Sequence, residues 1–187
     1  LIKEYMTKHQ RIVFNGNGYS DEWVVEAERR GLPNIKSMVE AVETLTTEKS
    51  IKLFEKFGIF TEAELESRAE VLYETYSKSI NIEALTMIDM AKKQIVPAVI
   101  KYTKSLADTV IAVKEAGGDA SVQAALLKEV SEKLAEAKSA LADLESKVAA
   151  TASIEDQKEL AFFFKDEVRA AMDALRSPVD ELEMVVD

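Results

Sequence analysis

Cysteine is absent from the 187-residue sequence. Its absence excludes disulfides, thiolate zinc sites and cysteine nucleophiles, and it fits a reducing cytoplasm. There is one histidine, His9, too few for a multi-histidine metal centre. Three prolines and six glycines leave long stretches without a helix breaker. No run of five basic residues occurs and the net charge is −10, so nucleic acid and anionic membrane surfaces are poor partners. No apolar run approaches the ~20 residues of a membrane span, and no signal-peptide pattern opens the chain. The chain starts without methionine, in residues that read as the middle of a helix, so a piece of something larger is expected. What remains is 47% hydrophobic and 31% charged, enough for a helix-rich fold with a real core.

The stretch from Thr61 to Ala116 organises the rest. It holds no glycine, and its only proline is Pro97. Leu65, Ala69, Leu72, Tyr76, Ile80, Ala84, Met87, Ala91, Ile95, Val99, Tyr102, Leu106, Val110 and Val113 recur in steps of three and four. That is one continuous helical stripe. Thr61 and Glu64 form a capping box and Gly117-Gly118 ends the helix. At 1.5 Å per residue the rod is roughly 80 Å long. Pro97 is expected to kink it without stopping it.

Upstream, Leu1 to His9 read as the end of a helix, Arg11 to Phe14 as an extended segment, and Asn15-Gly16-Asn17-Gly18 as a turn needing positive φ. Ser20 caps a helix carrying Trp23, Val24 and Ala27. Two short helices follow over Ser37 to Leu45 and Thr47 to Phe57, with Ile59-Phe60 pinning this part to the rod. Downstream, Val122, Leu126, Val130, Leu134, Ala137, Leu141, Leu144 and Val148 form a near-heptad seam. A third helix presents Leu160, Phe163 or Phe164, Val168, Ala171, Met172 and Leu175, and Ser177-Pro178 is expected to end it and begin a last short helix. Short turns at Gly117 and Ala152 make neighbours antiparallel. The expected fold is therefore all-α, a long kinked helix over about 61–116 packed with two more in an up-down-up bundle. It divides into a small helical segment, 1–60, and a bundle, 61–187.

Chemistry is sparse. His9 has no Glu-x-x-His or His-x-x-x-His context and reads as a surface or interface residue. Gly16 and Gly18 are not followed by Gly-Lys-Ser/Thr, and Trp23 on an amphipathic helix reads as packing. The pairs Glu64/Glu66 and Asp156/Glu159 read as solvated faces. Phe162-Phe163-Phe164 cannot all face one core, so at least one is expected to meet another subunit or another part of a larger protein. No catalytic, cofactor-binding or metal-binding residue is assigned.

The run from His9 to Trp23, HQRIVFNGNGYSDEW, continuing through AERRGLPN to Asn34, resembles the C-terminal region of type III glutamine synthetases. Phe54 to Glu62, Ser79 to Ala84, Pro97 to Tyr102 and Met172 to Arg176 extend the resemblance over essentially the whole chain. It implies a parent enzyme joining ammonia to glutamate with ATP and magnesium, assembled as a dodecamer of two hexameric rings. Residues 1–60 would be the tail of its catalytic region. The family's metal and phosphate ligands lie upstream, so this chain would be inactive alone, with a structural and assembly role. Its partners would be the rest of the parent and neighbouring subunits in the cytoplasm. The competing reading is a free-standing helical interaction module using the Val122–Val148 seam.

Overall fold

A computed structural model describes residues 1–186. Asp187, the last residue of the expected bundle, lies outside the described residues. Helix is the only regular secondary structure among them, and three long helices of 54, 33 and 27 residues dominate. Four short helices come first: α1 (Ile2–Lys8), α2 (Asp21–Arg29), α3 (Met38–Glu43) and α4 (Glu48–Lys56). The long rod α5 spans 62–115, α6 is Ser121–Ala150 continued by a 3-10 turn to Ser153, and α7 spans 157–183.

α5 begins as its sequence dictates. The Thr61 hydroxyl accepts from the Glu64 amide, and the Glu64 carboxylate accepts from the Thr61 amide at 2.8 Å. Every apolar position of the predicted stripe is buried or part-buried, from Leu65 to Val113. The rod is α-helical over Glu62–Met90 and Val96–Glu115, joined by a π-helical turn at Ala91–Ile95. There the Val96 amide bonds to the carbonyl of Ala91. Pro97 follows at once and is exposed. A proline cannot donate, and its ring crowds the carbonyl four residues back, so a wide turn just before it relieves the clash and lets the helix continue. Gly117, at φ 79°, then reverses the chain; the Gly118 amide bonds to Val113 O at 2.9 Å.

α6 packs along α5 on one side and α7 on the other, giving the antiparallel up-down-up bundle. Val130, Ala137, Leu141 and Leu144 of its seam are buried, while Val122 is exposed. One core joins Ile80, Ala84 and Ala91 to Leu141, Leu144, Phe164, Val168 and Leu175; a second joins Val99 to Val130, Ala137 and Leu182. Cross-helix ion pairs lie at the rim: Lys147 with Glu167 at 2.8 Å, Lys133 with Glu181 at 2.9 Å, and Lys92 with Glu145. Each contributes about 0–1 kcal/mol, and they serve register more than stability.

Three expectations are corrected here. α7 does not stop at Ser177; Pro178 is buried inside Arg169–Glu183. The carbonyl it leaves unbonded is that of Ala174, an exposed residue, so water satisfies it at little cost. The phenylalanine triplet needs no other subunit. Phe162 packs with Val39, Val42, Ala69 and Tyr73, whereas Phe163 and Phe164 enter the main core. A second π-helical turn, Phe164–Val168, begins at the last residue of the triplet. Finally, Phe60 alone pins α4 to the rod, tilted against Phe54 at 5.6 Å with Arg68 over its face at 4.1 Å; Ile59 is exposed.

Candidate interaction surfaces

Residues 1–36 form a small module built on Arg30. Phe14 lies against Trp23 with ring centroids 4.5 Å apart, and the Arg30 guanidinium sits 5.8 and 5.7 Å from the two rings. Its Nη1 donates to the carbonyls of Arg11 and Val13, at 2.8 and 3.1 Å, and its Nε to Glu26 at 2.6 Å. Arg29 donates twice to the same carboxylate. Hydrogen bonds from Arg29 and then Arg30 hold the Glu26 carboxyl down at about 2. The turn glycines have a different role from the expected one. Among the described residues only Gly31, Gly58 and Gly117 adopt positive φ; a Cβ on Gly16 would instead lie 2.4 Å from the tip of the Phe14 ring. Any side chain there would push the Phe14 ring aside. Arg11 and Ile12 lie in a 3-10 turn, Gln10–Ile12, and Val13 after it is extended.

The module buries no residue fully in α1 or α2. Leu1, Ile2, Tyr5, Met6, Ile12, Tyr19, Val24 and Val25 are exposed. Three of the chain's six arginines, Arg11, Arg29 and Arg30, line one groove with Trp23 and Leu32. On the side of α5 opposite its core stripe, Val71, Ile82 and Leu85 are exposed, with the Glu74–Lys78 ion pair between Val71 and Ile82. At about 100° per residue these three fall within roughly 60° of one another.

The residues weighed for chemistry do not converge. His9 is exposed and stacks on Tyr5 at 5.9 Å. Glu64 caps α5, Asp156 caps α7 by accepting from the Glu159 amide at 2.8 Å, and Glu66 stands apart from Glu64 on the surface. Among the described residues no three His, Cys, Asp or Glu side chains are grouped to hold a metal ion, and no helix is long and apolar enough to cross a membrane.

Residues 1–114, the Arg30 module and the whole rod up to its last turn, match the glutamine synthetase C-terminal domain. The chain belongs to that family. As a glutamine synthetase C-terminal domain it is 38% identical over 188 residues to a glutamine synthetase of Butyrivibrio fibrisolvens, covering 100% of this chain and 27% of the relative. It is 34% identical over 193 residues to a type-3 glutamine synthetase of Dictyostelium discoideum, covering 100% of this chain and 26% of the relative. A glutamine synthetase of Bacteroides fragilis (strain YCH46) is 32% identical over 193 residues, with the same two coverages. The chain thus spans about a quarter of the length of these relatives. α6 and α7 of this domain lie beyond the family match and within the alignments to all three.

Proposed function

We propose that this chain is the helical C-terminal domain of a type III glutamine synthetase, non-catalytic in itself, which builds the oligomer of its parent. The parent reaction is the ATP-dependent ligation of ammonia to glutamate in the cytoplasm. What supports the assembly role is a 54-residue rod whose outer side exposes Val71, Ile82 and Leu85. A rod of that length presents enough surface for the ~1,000 Å² that a stable interface needs. Residues 1–60 are the tail of the catalytic region, anchored to the bundle 61–187 by Val39 and Val42 of α3 against Ala69, Tyr73 and Ala161. The exposed apolar residues of α1 and α2 dock on the remainder of the parent chain. The 34% identity to the Dictyostelium type-3 enzyme supports the type III assignment.

Magnesium belongs to that parent reaction, and the described residues of this chain do not fit it, since no three His, Cys, Asp or Glu side chains among them are grouped to hold a metal ion. The reading as a free-standing adaptor has less support, because the seam from Leu126 to Val148 packs inside the bundle against α5 and α7. A glutamine synthetase assay of the 187-residue chain with ATP and magnesium tests the non-catalytic role. Background rates are expected; turnover overturns it.

A further inference from the structure

Residues 1–36 differ in charge from the rest of the chain. They carry six Lys and Arg against five Asp and Glu, whereas residues 37–187 carry 18 against 29. Half of the arginines meet in the groove of about 610 Å³ lined by Arg11, Ile12, Trp23, Arg29, Arg30 and Leu32. Every polar side-chain atom in that lining is a donor. Glu26 is the one carboxylate bonded to these arginines, and both of its oxygens are taken: Oε2 by Arg29 Nε, Oε1 by Arg29 Nη2 and Arg30 Nε. It orients two guanidiniums and answers one positive charge of three. Arg30 Nη1 meanwhile fixes the backbone that carries Arg11, by donating to the Arg11 and Val13 carbonyls. The Arg11 guanidinium itself, Arg29 Nη1 and Arg30 Nη2 make no hydrogen bond among the described residues.

The apolar part of the same lining is bare. Ile12 is 74% exposed and Leu32 49%. No residue of 1–36 belongs to any of the three cores that hold the helices from α3 onward together, so the bundle neither covers the groove nor sets the position of the module. Arginine and tryptophan beside exposed aliphatic surface are the composition of an interface centre, where the arginine fork receives a carboxylate bidentately.

We propose that the groove seats an acidic segment of the remainder of the parent chain. An Asp or Glu carboxylate of that segment is received by the Arg11 guanidinium, and an apolar neighbour of it covers Ile12, Trp23 and Leu32. This rests on the reading of the chain as part of a longer enzyme and names the chemistry of the surface on which α1 and α2 dock. A free inorganic anion would answer the arginines and leave Ile12 and Leu32 in water. Nucleic acid would meet the strongly acidic bundle beside the module and be repelled.

Amide exchange of α2, Gly31 and Leu32 is the test, compared between the full-length parent and the 187-residue chain at about 0.05 and 0.5 M salt. The expected result is slower exchange in the parent, with part of that protection lost at the higher salt. Arg11→Gln in the parent speeds these amides about tenfold or more, the loss of one charge-assisted contact. Arg11→Lys, which keeps the charge and loses the fork, retains part of the protection. In the 187-residue chain Arg11→Gln changes nothing, because the side chain is exposed and unpaired there. Arg169→Gln, the same charge change on an exposed arginine of α7, leaves the exchange of the parent unaltered. Protection that neither salt nor Arg11→Gln alters overturns the proposal and leaves the docking of the module intact. Equal exchange in parent and 187-residue chain overturns both. Equal speeding by Arg11→Gln in the 187-residue chain makes the role internal to the module and overturns the proposal. So does saturable binding of inorganic phosphate to that chain, read by Trp23 fluorescence, or its salt-sensitive self-association abolished by Arg11→Gln, which assigns the groove to a second copy.

Discussion

Deleting Lys93 tests how the rod is phased. The π-helical turn Ala91–Ile95 holds one residue more than an α-helical turn would, and Lys93 is an exposed member of it. Removing it restores regular spacing and rotates 96–115 by about 100° relative to 62–90. Val99, 2% exposed, then leaves the core it shares with α6 and α7, and Val110, 9% exposed, leaves its buried position. Each loses about 1.5–3 kcal/mol of burial. Pro97, no longer preceded by a wide turn, adds about 3 kcal/mol of ring strain and lost bonding. The sum, about 6–9 kcal/mol, rivals the ~5–15 kcal/mol total stability of ordinary domains. Lys93→Ala removes only a surface ion pair with Asp89 and should cost no more than about 0.5 kcal/mol. Urea unfolding by far-ultraviolet circular dichroism, with amide exchange at Val99 and Leu144, reads both. The deletion should lose protection at Val99 before Leu144 and lower the midpoint steeply. A wild-type midpoint with full protection at Val99 would refute the reasoning.

Other consequences are simpler. Leu144→Ala empties a fully buried site between α5, α6 and α7 and should cost about 2–5 kcal/mol in urea titration. Ser77, 4% exposed, buries a hydroxyl without a partner among the described residues, so Ser77→Ala should stabilise the chain by about 1 kcal/mol in the same assay. Glu26 is held below the ordinary 4.5 at about 2 by Arg29 and Arg30. Its stabilising contribution is complete above pH ~4.5 and is lost as pH falls through about 2. Trp23, the only tryptophan, reports this locally. Its fluorescence should change over that window, and Glu26→Gln should remove that pH dependence.

Periodicity made the bundle legible. The stripe from Leu65 to Val113 and the seam from Leu126 to Val148 are buried where spacing put them, because a helix against a core leaves little freedom for apolar placement. Val122 failed as an inward residue because it sits in the first turn of its helix, and Val24 because it is turned about 100° from the Trp23 side that packs on Phe14. Pro178 was misleading because local rules stop a helix at proline, whereas burial of its ring and solvent at Ala174 keep α7 whole. Ser77 was missed because it flanks the stripe with a polar atom, and no spacing rule signals a hydroxyl buried without a partner. The Arg30 cage was equally silent: it joins residues 17 and 19 apart through two carbonyls, which carry no side-chain signature.

Assembly through the outer face of α5 is tested most directly by native mass spectrometry of the full-length parent protein carrying Val71→Ser, Ile82→Ser and Leu85→Ser. These side chains are exposed, so the isolated chain should melt as before, within about 0.5 kcal/mol. The predicted result is folded protomers in smaller assemblies than the unaltered protein forms. An unchanged oligomer with all three replaced would contradict the account.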